Sequence, residues 1–265
     1  MWGIVPAAGK GSRIQPLAFS KELLPVGSRL ESGVERPCAV SEYLLERMVL
    51  AGADKICFVI SPGKSDIMEY FGASYAGAAI AYVVQPQAAG LCDALFRALP
   101  LISAEESVVV GLPDTIWFPD HALAELTDDR LSLLLFPVGN PEVFDAVSTE
   151  RDGRVLAIEV KAAHPRSHWI WGAFKMPGVT LHALNRLWKE RDGKDEYFGT
   201  LINAYLAGGG IAQAVKAGTD YVDVGTLGGY RAAIQLLERM GADAAPRGRD
   251  ASAVEKLLER VGAQG

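Results

Sequence analysis

Two hydrophobic rhythms alternate along this chain. Short continuous apolar runs, "WGIVP" (2–6), "KICFVIS" (55–61), "IAYVVQ" (80–85) and "SVVVGLP" (107–113), have the length of strands covered on both faces. Between them lie segments whose apolar residues recur three and four apart. The clearest is 41–51, where Leu44, Leu45, Met48 and Val49 share a face, and shorter ones fall near 64–71 and 91–99. Strand then helix, repeated, predicts a doubly wound, mainly parallel α/β sheet with helices on both faces. In such folds ligands gather beyond the carboxyl ends of the strands.

The rhythm changes near residue 131. After "LSLLLFPV" come two β-like runs flanking Asp152-Gly153, a turn signal that predicts an inserted hairpin. Helical segments at about 180–190 and 196–207 return the chain to a strand in "IAQAVKA" and then to "DYVDVGTLGGYRAAIQLLERM". A Gly/Pro/Arg-rich link, "GADAAPRGRD", precedes a stretch whose Val254, Leu257, Leu258 and Val261 share a helical face, with Ser252 and Glu255 spaced as a capping box. This last helix is expected to pack on the body or on a partner subunit, so a homo-oligomer stays open. The organisation expected is one domain over 1–240, with halves meeting at about 130, and a linker and helix over 241–265.

Composition narrows the function. At 265 residues, nearly half of them apolar, the chain can bury a sizeable core. A formal net charge of −6 offers no diffuse attraction for nucleic acid or an anionic membrane, so any phosphate site must be local. Cys38, Cys57 and Cys92 form no CxxC pair and suggest neither a disulfide framework nor a zinc ribbon. A reducing, cytoplasmic setting fits. His164 and His168 have a zinc-like spacing, but Pro165 breaks the helix that would align them, and they read as loop residues.

The first strand ends in "VPAAGKGSR", where small residues and positive charge replace the apolar run. It is not a Walker A loop, because Ile4 stands where that loop needs its first glycine and Gly11 follows Lys10. Nor is it a dinucleotide fingerprint, because Ile14 stands where the third glycine belongs. The stretch resembles the signature loop of the sugar-1-phosphate nucleotidyltransferases. It reads Gly9-Lys10-Gly11-Ser12-Arg13, then Pro16, then Lys21-Glu22-Leu23-Leu24-Pro25-Val26. Backbone amides of Ala8, Gly9, Gly11 and Ser12 would face phosphate oxygens, with Arg13 and Lys21 adding cations. "VVQPQAAGLCDAL" resembles the family's base-reading segment and assigns that role to Gln85 and Gly90; a glutamine amide can match the imide edge of uracil or thymine. Asp114 after "VVVGLP" and Asp223 in "YVDVGTLGGY" would hold Mg²⁺, with Asp114 also catalytic.

For the sugar phosphate, the resemblance points to Lys161 in "IEVKAAHP" and Gly172 in "WIWGAFKM". Three departures from the family pattern fall in this half. Val160 stands where a glutamate is usual, with Glu159 one position earlier; Asp145 stands where a glycine is usual; and Gly199 interrupts the expected helix start. Either the sugar pocket is altered, with Asp145 and Glu159 as its acids, or the gapped alignment slips by one residue. The resemblance implies transfer of a nucleotidyl group from a nucleoside triphosphate, dTTP or UTP favoured, to a sugar 1-phosphate, with pyrophosphate released. Cytidylyl transfer to a sugar or alcohol phosphate, a non-catalytic nucleotide or sugar-phosphate sensor, and a Rossmann-type oxidoreductase are the alternatives.

Overall fold

The computed structural model describes residues 1–31, 33–241 and 245–248. The helix expected around 252–261 lies outside the described residues. Along the chain run β1 (Trp2–Pro6), β2 (Pro25–Glu31), β3 (Val34–Ala39), α1 (Val40–Leu50), β4 (Lys55–Ile60), α2 (Ser65–Phe71), β5 (Ser74–Tyr75), β6 (Ala78–Val84), α3 (Gly90–Arg97) and β7 (Ser107–Gly111). Next are β8 (Thr115–Phe118), β9 (Leu131–Pro137), β10 (Asp145–Thr149), β11 (Val155–Val160), β12 (Trp169–Pro177), α4 (Gly178–Glu190), α5 (Phe198–Ala207), β13 (Ala212–Val215), β14 (Asp220–Asp223) and α6 (Leu227–Met240).

The main sheet is mixed, ordered β11-β10-β12-β7-β1-β4-β6-β5, with β9 joining β12 to β13. Its centre, β7-β1-β4-β6, is parallel. Successive residues of these strands pack on opposite sides. Ile4, Cys57, Val59, Val108 and Val110 meet Leu95 of α3, Leu181 and Leu184 of α4 and Leu201 of α5. Val5, Ile56, Phe58, Ile60 and Val109 meet Leu44, Leu45 and Met48 of α1 and Ile67 and Phe71 of α2. Two covered faces explain why these strands read as unbroken apolar runs instead of alternating ones.

The hairpin around Asp152-Gly153 forms as β10 and β11, with Gly153 in the left-handed region (φ 87°) and the Arg154 amide donating to Asp152 Oδ1 at 3.0 Å. A second hairpin, β2–β3, has no counterpart in the sequence reading. It packs with α6 through Val26, Leu236 and Leu237. Antiparallel pairing of β8 with β14 sets Thr115 opposite Asp223. That pairing carries a residue from the chain's last quarter to the mouth of the parallel sheet. No helix among the described residues is long and apolar enough to cross a membrane.

Candidate active site

Two acids and two cations meet beyond β1. Lys21 Nζ pairs with Asp114 Oδ2, both side chains mostly buried, and Arg13 Nη2 donates to Asp223 Oδ2 at 3.1 Å. Gly225 marks the point of convergence. A methyl group placed on it would lie 2.7 Å from Asp223 Oδ1, 2.9 Å from Arg13 Nη2 and 3.3 Å from Asp114 Oδ2. The Gly225 amide donates to Asp223 Oδ1 at 2.7 Å, and the Val224 amide donates to the Asp114 carbonyl at 2.8 Å, which fixes the two acid-bearing turns against each other. Burial opposes the charge on Lys21, but Asp114, with Glu22 and Asp223 behind it, holds the ammonium above the usual lysine range.

The loop between β1 and β2 owes its shape to residues the sequence reading gave no role. The Lys64 ammonium donates to Glu22 Oε1 at 2.8 Å, to Glu22 Oε2 at 2.7 Å and to the Ala7 carbonyl at 2.7 Å, so one buried cation ties both ends of the loop. Asp66 accepts from the amide and the hydroxyl of Ser20, each at 2.6 Å. Ser41 of α1 donates to the Glu22 carbonyl at 2.7 Å. Gly11 sits at φ +64°, and a side chain there would meet the Lys21 stem at 2.8 Å; its bareness lets the lysine pass. Among the described residues, nothing but its chain neighbours lies within 4 Å of where a Cβ on Gly9 would be, and Ser12 further along the loop is exposed, so this backbone borders open space.

Ala8, Gly9, Gln85, Gly90 and Glu196 line one cavity of 310 Å³. Ala8 and Gly9 of the phosphate loop and Gln85 and Gly90 of the base segment, at least 76 positions apart in sequence, therefore share a wall. Gly90 holds φ +85°, and a Cβ on it would press against Glu196, 2.8 Å from its carbonyl oxygen.

The sugar-half candidates form a separate group. Lys161, just past β11 at φ 46°, donates from Nζ to the Val143 carbonyl at 2.9 Å, and its amide donates to Asp145 Oδ1 at 3.3 Å. Asp145 is buried, and burial pushes its carboxyl above the usual aspartate range against the pull of Lys161. Glu159 is engaged elsewhere: it accepts from the Arg166 amide and Nε at 2.7 Å and from Ser148 at 3.1 Å. Gly172 links this group to the acids, because a methyl there would meet Tyr221 of β14 and Phe136 of β9 at 2.6 Å. The three departures meet in space. Asp145 is the register partner of Val160, and a Cβ on Gly199 would lie 2.7 Å from Val160 Cγ2.

The model of the nucleotidyl transferase family matches residues 2–239. A glucose-1-phosphate thymidylyltransferase of Mycolicibacterium smegmatis is 27% identical over 238 residues, covering 85% of this chain and 78% of that protein. Two solved structures share the fold. One is a Bacillus anthracis protein provisionally assigned as a glucose-1-phosphate thymidylyltransferase and crystallised with sucrose; it superposes with a TM-score of 0.74 at 23% identity over 88% of this chain and 94% of its own. The other is the UTP-bound UGPase of Acinetobacter baumannii, with a TM-score of 0.72 at 19% identity over 97% of this chain and 98% of its own.

Proposed function

This chain belongs to the nucleotidyl transferase family, and from that premise we propose that it joins a nucleoside triphosphate, UTP or dTTP, to a sugar 1-phosphate, making a nucleotide sugar and pyrophosphate. The observation that carries this reading is the convergence of Asp114, Asp223, Arg13 and Lys21 around Gly225, beyond the strand that opens into the glycine loop. An oxygen of the sugar phosphate attacks the α-phosphorus, the new P–O bond forms, and the bond to the β-phosphate oxygen breaks. No covalent enzyme intermediate is needed.

Repulsion between two anions is the main obstacle, so positioning and neutralisation supply the catalysis. Arg13 meets the departing phosphates, Lys21 spans the triphosphate and Lys161 receives the incoming phosphate. Amides from Ala8 to Ser12 orient the phosphate chain. Asp114 and Asp223 suit Mg²⁺: both are hard oxygen donors that approach the same point beside Gly225. Two carboxylates leave the remaining positions to water and phosphate oxygens. Held by these two acids, Mg²⁺ would supply positive charge where the α-phosphoryl group gains negative charge during transfer.

The acceptor is a sugar other than glucose. Support comes from the meeting of Asp145, Val160 and Gly199: a carboxylate stands on β10, its neighbour on β11 is apolar, and a bare glycine makes room for that apolar side chain. A matrix of four nucleoside triphosphates against several sugar 1-phosphates, read with Mg²⁺ as pyrophosphate released, tests both parts. Absence of pyrophosphate in every cell overturns the activity, and a clear preference for glucose 1-phosphate overturns the altered pocket.

A further inference from the structure

Gln85 is the polar side chain of the 310 Å³ cavity that sits deepest, buried to 3% exposure at the end of β6. A glutamine amide offers two donors on nitrogen and one acceptor oxygen, and which end faces a ligand depends on what the other end meets. Here both neighbours of the nitrogen are acceptors. Gln85 Nε2 donates to the Gly90 carbonyl at 3.2 Å and to Asp93 Oδ2 at 2.8 Å. The amide therefore cannot turn without setting Oε1 against a carbonyl and a carboxylate.

Asp93 is held in turn by Arg97, one helical turn further along α3. Arg97 donates from Nε to Asp93 Oδ2 at 3.2 Å and from Nη2 to Asp93 Oδ1 at 3.0 Å. A carboxylate gripped by a guanidinium fork is an acceptor only, and the charge on both partners strengthens the pair. Asp93 itself is buried, at 8% exposure, so little water competes for its oxygens.

We propose that Asp93 and Arg97 form a positioning latch that locks the Gln85 amide with its oxygen toward the base cavity, so that the site selects a nucleobase presenting an N–H donor and rejects one presenting a lone pair. The proposal rests on the reading that this cavity takes the base. Uracil and thymine carry N3–H and satisfy Gln85 Oε1. Cytosine carries an unprotonated N3, which would leave two acceptors facing each other in a buried site and cost roughly ten- to a hundredfold in kcat/KM.

Asp93→Asn tests the latch. The asparagine can keep its oxygen on Arg97 and turn its own amide nitrogen toward Gln85, which removes the stronger of the two acceptors and leaves only the Gly90 carbonyl to oppose reversal of the Gln85 amide. The kcat/KM ratio for UTP over CTP should fall by roughly tenfold or more, carried mainly by KM for UTP and not by turnover at saturation. Because the ratio is taken within one preparation, any inactive fraction cancels. Asp93→Ser, which places less demand on the surrounding packing, should move it the same way. Gln85→Ala separates the two levels of the argument: it should abolish the discrimination outright. If Gln85→Ala lowers the ratio while both Asp93 variants keep it within about twofold, the latch is wrong and the base site stands. If Gln85→Ala leaves the ratio unchanged, the base-site reading itself fails, and wild-type preference for CTP overturns the latch at once.

Discussion

Replacing Lys64 by methionine should reveal how the phosphate loop is held. The substitution keeps side-chain volume and removes the ammonium from two oxygens of Glu22 and from the Ala7 carbonyl. Glu22 has no exposed surface, so its carboxyl is left buried without its ion-pair partner and must either carry an uncompensated charge or take up a proton. Breaking a buried pair from one side costs about 3–5 kcal/mol, which for a chain of this size lowers Tm by roughly 10 °C. The loss should depend on pH. Burial already pushes the Glu22 carboxyl above the ordinary glutamate range, with Lys64 pulling it back, so removing Lys64 raises it further. A group whose folded pKa is raised contributes stability that is present below its unfolded pKa and is lost as pH rises through the folded value. The deficit of Lys64→Met against wild type should be largest at neutral pH and shrink as pH falls toward the ordinary glutamate range. Urea denaturation at neutral pH and at about pH 5 measures it, and the double variant Glu22→Gln/Lys64→Met should recover most of the loss. A single variant within about 1 kcal/mol of wild type at neutral pH, or one no less stable than the double variant, would refute the clamp.

Arg13→Ala and Lys21→Ala should each lose on the order of a hundredfold or more in turnover, with Lys21→Ala the worse because its ammonium is the more buried and it leaves Asp114 unpaired; near-normal turnover in both, read as pyrophosphate release, would contradict their roles. Gly229→Ala should damage the site from a distance, since a Cβ on that residue collides with the Asp223 carbonyl oxygen. We expect at least about a tenfold fall in turnover from the displaced acid, along with a lowered Tm. Unchanged kinetics and melting together would show that the turn from β14 into α6 yields freely.

The parts of this molecule that were legible in the sequence are those with a local physical signature. Buried parallel strands must be apolar on both faces, so "ICFVI" and "SVVVG" declared themselves; Asp152-Gly153 marked its hairpin because only a glycine takes that φ cheaply. The β2–β3 hairpin escaped because most of its residues are polar or exposed, and "PVGSRLE" and "VERPCA" carry neither apolar period. The loop cations and the two acids could be named only through a resemblance. Nothing in composition or spacing says that Arg13 and Asp223, 210 positions apart, will stand 3.1 Å from each other.

Partnership across the chain is likewise what hid Lys64, Asp66 and Asp93. A lysine at a helix start reads as solvated, and an aspartate four residues before an arginine reads as an ordinary surface pair. Both readings break down through burial, since Lys64 and Asp93 are each only 8% exposed in the folded chain. The same logic explains the sugar half. Asp145, Val160 and Gly199 look like three unrelated departures along the chain, yet cross-strand register and helix packing bring them together: Asp145 on β10 stands opposite Val160 on β11, and a Cβ on Gly199 of α5 would lie 2.7 Å from the Val160 side chain. That meeting in space is the physical ground for the proposed change of sugar: a substitution at any one of the three positions would be felt at the other two.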